Sequence, residues 1–124
     1  MPSYHDLDIY SLAHELAVKI HTFSLRLPRF ELHETGGQLR RASKSISANI
    51  VEGYGRRRYK AEFMRFLIYA QASCDETGEW LAYIRDLHDG LGAEAEAFLA
   101  DIDRLGRKLN RFIQSVRSAH RSVK

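Results

Sequence analysis

Residues 91–118, LGAEAEAFLADIDRLGRKLNRFIQSVRS, carry the pattern from which the fold follows. Leu91, Ala95, Phe98, Ile102, Leu105, Leu109, Phe112 and Val116 recur in alternating steps of four and three. That is the heptad spacing of a helix that seals a seam against partner helices, sustained over more than three heptads. Leu99 and Ile113 widen the stripe, as a bundle helix requires. Such a helix needs neighbours, and the rest of the chain supplies them.

Upstream, residues 60–88 predict a long helix of roughly 40 Å. Phe63, Phe66, Leu67, Ala70, Cys74, Thr77, Leu81, Ile84 and Leu87 follow its period. Met64, Ile68, Ala72 and Tyr83 lie off that stripe, which implies that this helix is covered on more than one side. Gly78 in its interior costs about 1 kcal/mol relative to alanine and suggests close packing or a bend. Asp89-Gly90 and Gly92 make the turn into residues 91–118.

Two more helices precede these. Residues 8–27 place Ile9, Leu12, Leu16, Ile20, Phe23 and Leu27 on one face, with Asp6 or Asp8 as a cap and Pro28 as the stop. Thr35-Gly36-Gly37 opens the other, residues 36–53, with Leu39, Ala42, Ile46, Ile50 and Gly53 on its apolar side. Gly53 and Gly55 are expected to end it, since glycine takes the left-handed conformation cheaply. There is no strand-like alternation, repeat or low-complexity tract. Short turns between long helices predict an all-α, antiparallel up-and-down four-helix bundle, one domain over residues 1–124.

The 124 residues suffice for one buried core, and the 44% hydrophobic and 28% charged shares are those of a globular protein. One cysteine, Cys74, excludes an intrachain disulfide. The first residues lack the basic start and apolar run of a signal peptide, and no stretch approaches the roughly 20 apolar residues of a membrane span. The expectation is a cytoplasmic protein without membrane contact.

No constellation for catalysis or metal binding emerges. No glutamate has a histidine three residues later, the spacing a bundle-core carboxylate metal site uses. His14 and His21 lack accompanying ligands, and Cys74 reads as a buried structural residue. Gly53-Tyr54-Gly55 lacks the rest of a phosphate loop. Neither a cofactor nor an enzyme is expected.

Charge is the more informative signal. Residues 36–65 carry eight Lys/Arg against two Asp/Glu, residues 66–103 one against nine, and residues 104–124 seven against none. Blocks of this kind imply an anionic partner or complementary contacts between subunits. In the first basic block Arg40, Arg41 and Lys44 lie on the second helix, and Arg56, Arg57, Arg58 and Lys60 follow it, with Tyr54 and Tyr59 flanking the arginine triplet. Arginines neutralise phosphates and interleaved aromatics stack on unpaired bases, which makes these nine residues candidates for RNA or DNA contact. Subunit contact with the acidic block, solvent exposure and complementation of a helix dipole remain the alternatives.

A polar line runs beside the apolar stripe of the second helix: Gln38, Arg41, Ser45, Asn49 and Glu52. Arg41 and Glu52 are about 16 Å apart along a helix, too far to pair, so each needs a partner on another helix or subunit. The line reads either as a helix edge or as a buried polar seam that fixes helix or subunit register.

At these residues a resemblance enters. The run 38–53, QLRRASKSISANIVEG, resembles the hallmark of the 23S rRNA intervening-sequence protein family, also called the four-helix bundle protein family. The family pattern is approximately Q-L-R-R-A-x-x-S-I-P-x-N-I-A-E-G with a basic residue soon after. Gln38, Arg40, Arg41, Ala42, Ser45, Ile46, Asn49, Ile50, Glu52 and Gly53 fit it, with Arg56, Arg57 and Arg58 nearby. Asp6-Leu7-Asp8-Ile9-Tyr10 looks like the family's opening, and Phe63 to Phe66 with Ala70 to Glu76 looks like its third-helix segment. Ser47 stands where the family has proline and Ala72 where it often has glycine.

The resemblance implies a four-helix bundle assembled into a ring-like homopentamer. It also implies a link to extra segments in bacterial 23S rRNA genes, and an architecture similar to nucleic-acid-binding accessory proteins of diversity-generating retroelements. The function expected from residues and resemblance together is a non-enzymatic, homo-oligomeric nucleic-acid-binding protein. The alternative is a scaffold whose charge blocks join subunits or a protein partner.

Overall fold

A computed structural model describes residues 2–122. Its elements are a 3₁₀ turn at Tyr4–Asp6, then α1 (Asp8–Ser24), a short α2 (Arg29–Leu32), α3 (Thr35–Gly55), α4 (Lys60–Leu87), a 3₁₀ turn at Asp89–Leu91, and α5 (Gly92–Ala119). Among the described residues there is no strand. The four long helices run up and down in chain order: α3 packs between α1 and α4, α4 between α3 and α5, and α5 closes back on α1.

One core fills the bundle. Ile20, Leu39, Ile46, Ile50, Leu67, Leu81, Ile84, Leu105 and Leu109 are fully buried, each of the four long helices contributing. Each such side chain stabilises the fold by roughly 1.5–3 kcal/mol through the water it excludes. The heptad seam of α5 drifts, as a 3.6-residue period must: Ile113 is buried while Phe98 and Phe112 sit at the rim. On α4, Leu87 belongs to the expected stripe but is exposed, because it is the last residue of its helix.

Several local expectations are corrected. α1 ends at Ser24, a turn before Pro28; Pro28 instead starts α2, its carbonyl accepting from the amides of Glu31 (2.9 Å) and Leu32 (3.0 Å). Asp6 caps the 3₁₀ turn that precedes α1, its carboxylate accepting from the Ser3 amide at 2.9 Å, and no side chain caps α1 itself. Gly78 lies within unbroken α4, and a Cβ there would meet Ile102 at an ordinary 3.6 Å.

The second helix does not stop at a left-handed glycine. No described residue has positive φ, and α3 continues through Gly53 to Gly55. Gly53 is needed for a different reason. A Cβ there would lie 3.0 Å from the Cβ of Phe66 and 3.3 Å from the carbonyl oxygen of Phe63, so the missing side chain lets α3 lie directly on α4. Gly36 does the same at the other end, where a Cβ would meet the side chain of Leu27 at 3.2 Å and the Glu31 carbonyl at 3.3 Å.

Arg40 also has a structural task. Its guanidinium donates to Ser24 Oγ (2.8 Å) and to the Leu32 carbonyl (2.7 Å), tying α3 to the end of α1 and to α2. Ser24 is fully buried and passes its own proton to the His21 carbonyl at 2.7 Å, so Arg40 supplies the donor its oxygen needs.

Two stability outcomes follow. Gly53→Ala should destabilise the protein by about 1–3 kcal/mol in urea unfolding, because overpacking against Phe63 and Phe66 outweighs alanine's helix preference of about 1 kcal/mol. Gly55→Ala, with nothing within 4 Å of its Cβ, should be neutral or stabilising by up to about 1 kcal/mol; equal midpoints for the two variants would remove the packing account. Arg40→Ala should cost about 1–3 kcal/mol by stranding buried acceptors, whereas Arg58→Ala, at an exposed side chain, should leave the midpoint within about 0.5 kcal/mol.

Candidate functional site

The nine candidate residues divide into two groups, because α3 is long. Arg41 and Arg56 are separated by about 22 Å along the helix axis, so Arg40 and Arg41 stand in the first turns of α3, Lys44 at its middle, and Tyr54 to Lys60 at its far end. Arg40 is committed to Ser24 and Leu32. Arg41 is exposed, and Lys44 borders a groove between α1 and α3 with His14 and His21.

Within the single chain the polar line lies at the surface. None of Gln38, Arg41, Ser45, Asn49 and Glu52 is buried. Asn49 donates to the carbonyl of Ser45 at 2.9 Å, inside its own helix. Glu52 needs no partner on another helix: its carboxylate accepts from Arg56 Nε at 2.9 Å, one turn on. In the single chain these residues therefore form a helix edge and not a buried seam.

At the far end, antiparallel packing brings together what the sequence keeps apart. The exit of α3 and the start of α4 lie beside the end of α5. His120 Nε2 donates to the Arg57 carbonyl at 2.7 Å, the Lys60 amide to Ser122 Oγ at 2.9 Å, and Lys60 Nζ to the Arg117 carbonyl. The first basic block thus meets the basic tail, and Arg57, Arg58, Lys60, Arg117 and Arg121 share one end of the molecule. Sequence reasoning counted the tail's charge but did not place it here. The up-and-down topology was the signal that would have done so.

These five cations differ from those that carboxylates hold. Arg56 is held by Glu52 and, at 3.0 Å, by Glu62, lies over the Phe66 ring, and has its ionisation reinforced first by the Glu52 hydrogen bond. Arg65 pairs with Glu62, Arg107 with Asp103, and Lys108 reaches Asp8 on α1. Arg57, Arg58, Lys60, Arg117 and Arg121 have no carboxylate partner among the described residues. The positive potential at this end is consequently not cancelled locally.

Of the two tyrosines, Tyr59 is 57% exposed. Tyr54 is half-buried, packs edge-on against Phe63, and carries the Arg57 guanidinium over its ring at 4.0 Å. Arg57 is fixed further by donating to the Tyr54 carbonyl at 2.8 Å.

Other candidate chemistry is absent from the described residues, which bring together no group of three or more metal-ligating side chains. Cys74 is buried and its thiol is pushed up to about 12, first by burial and then by Asp75 and Asp103, so it is no nucleophile at neutral pH. No described helix is long and apolar enough to cross a membrane.

Comparison with known proteins supplies the remaining facts. The fold matches the crystal structure of a Bacteroides thetaiotaomicron protein of unknown function from the S23 ribosomal protein family, with TM-score 0.76 and 22% identity, covering 86% of this chain and 95% of that one. That likeness concerns the fold. Among curated proteins nothing matches. The family model described as 23S rRNA-intervening sequence protein matches residues 5–111, from the first 3₁₀ turn to the last third of α5. A match over that span, on this bundle, means that the chain belongs to the 23S rRNA-intervening sequence protein family.

Proposed function

We propose that this protein binds nucleic acid, without catalysing a reaction, through the basic end of the bundle formed by Arg57, Arg58, Lys60, Arg117 and Arg121. The observation that carries the reading is the meeting of the two basic blocks at one end, where Arg57, Arg58, Lys60, Arg117 and Arg121 have no carboxylate partner among the described residues. Folding gathers like charges there at a cost in self-repulsion, and a polyanion would relieve it. The exposed Tyr59 beside them adds a surface for stacking. The membership of an rRNA-linked family agrees with this reading.

About five phosphate contacts imply that log affinity falls with log salt at a slope of roughly −3.5 for single strands to −4.5 for duplex. Replacing Arg58 and Arg121 with glutamine should flatten that slope by about 1.4–1.8 and weaken RNA and DNA alike in fluorescence anisotropy. Absence of binding to RNA or DNA at about 50 mM salt would defeat the proposal.

A second observation favours homo-oligomerisation as part of the same function. The outer face of α4 exposes Ile68, Tyr69, Tyr83 and Leu87, from 44% to 62%. Trp80 meets the Tyr83 ring at a tilt, centroids 5.8 Å apart, and donates to Glu76 at 3.0 Å, which holds this face in place. An apolar band along one helix is the surface by which copies of a chain associate. Light scattering should give a mass that is a multiple of 14.3 kDa. The pair Ile68→Glu and Tyr83→Glu should reduce it to one chain with helicity unchanged, and a native monomer would end this part of the reading.

A further inference from the structure

The basic end contains two adjoining hollows whose linings differ. One lies between α3, the start of α4 and the end of α5 and is walled by Tyr54, Phe63, Phe112 and Ala119. The other is walled by Gly55 and Arg58. Arg57 and His120 border both.

The aromatic hollow is organised around Phe63, which is buried and meets the rings of Tyr54, Phe112 and His120 edge-on at 6.3, 6.0 and 5.1 Å. Its divide is held rigidly. Arg57 lies over Tyr54 and donates to that residue's carbonyl, and His120 is fixed by its bond to the Arg57 carbonyl. A planar guanidinium stacked on one ring is a surface on which a second planar group stacks. Beyond the divide, Arg58 is exposed, and a Cβ on Gly55 would meet nothing within 4 Å, so the backbone there is open to approach.

An apolar, ring-lined hollow joined to an arginine-lined one has the two halves of a nucleotide site. The first suits a base and the second its phosphate. A duplex keeps its bases stacked and paired, so it can use only the second. Resting on the nucleic-acid reading above, the geometry points to a subsite for one unpaired nucleotide, the base against Arg57, Tyr54 and Phe112 and the phosphate on Arg58. The occupant is a single-stranded stretch or end of RNA or DNA. The bundle end is therefore selective for unpaired strands, a property that charge alone would not produce.

The test compares fluorescein-labelled 12-nucleotide single strands of RNA and of DNA with the corresponding 12-base-pair duplexes, in anisotropy titrations at equal salt. The native protein should prefer single strands by at least about tenfold in one or both series. Ala119→Trp fills the hollow from the exposed last residue of α5, and Arg57→Lys keeps the charge while removing the planar group. Each should lower the single-strand to duplex affinity ratio at least about fivefold, with far-ultraviolet circular dichroism unchanged. Equal affinity for strands and duplexes, with a ratio that neither variant moves, would overturn the subsite and leave the basic-end proposal standing. No binding to any of the four ligands would overturn both.

Discussion

The antiparallel packing of α4 against α5 governs the rest of the molecule. Both helices have 28 residues, and each buries an apolar stripe along nearly its whole length against the other. Two helices of equal length joined by a turn at Asp89–Leu91 must place Lys60 beside the last turn of α5, whatever their outer faces carry. The seam of Leu67, Leu81, Leu105 and Leu109 contributes several kcal/mol through burial. The repulsion among exposed arginines at the free end is weaker, because water and salt screen it beyond about 8–10 Å. Packing wins, and the charges go where packing sends them. Residues 66–103, with nine acids, fold into the half of the hairpin that holds the turn. The molecule is consequently acidic toward that turn and basic at the opposite end.

Part of that repulsion is relieved locally, and the pattern of relief separates structural cations from available ones. Glu52 and Glu62 reach Arg56 from either side of the α3–α4 connection. Exposed pairs of this sort stabilise little on their own, but together they orient the connection and hold Arg56 over Phe66. Arg40 is removed from the surface inventory by two hydrogen bonds to the end of α1 and to α2. Of the cations left without a carboxylate among the described residues, topology brings Arg57, Arg58, Lys60, Arg117 and Arg121 to one end, while Lys19, Arg29, Arg41, Lys44, Arg104 and Arg111 lie elsewhere along the helices.

The helices were legible in the sequence because burial imposes a period, and a period survives without knowing the partner. The stripe of residues 91–118 identified α5 to within one residue of its observed end. The roles of single residues were less legible where they depend on a neighbour in space. Gly53 reads as a stop, since glycine ends helices; only the 3.0 Å approach of Phe66 reveals that it permits helix contact. Arg40 and Arg41 look alike in a basic run, yet one faces Ser24 and the other water. A window charge of +6 over residues 36–65 suggests one patch. A helix of 21 residues spreads it along its length, and the tail, with Ser122 lying 62 residues from Lys60 in sequence, meets only its far end.

The surfaces that would carry the two parts of the proposed function lie on different portions of the bundle, and this has an energetic consequence. The exposed apolar side chains of the band form two groups on the outer face of α4, Ile68 with Tyr69 and Tyr83 with Leu87, with exposed Glu76 and Glu79 between them. The basic end is built from the exit of α3, the first turn of α4 and the last turn of α5. Association through the band would leave each basic end open and place several on one particle. A strand long enough to reach two ends would bind the second as an intramolecular event, at an effective concentration set by the spacing between them. A site of about five cations is weak at physiological salt when alone, because releasing so few counterions contributes little there. Repetition of that site would raise the apparent affinity without any new contact, so assembly would couple to binding even with no residue of the band touching the nucleic acid.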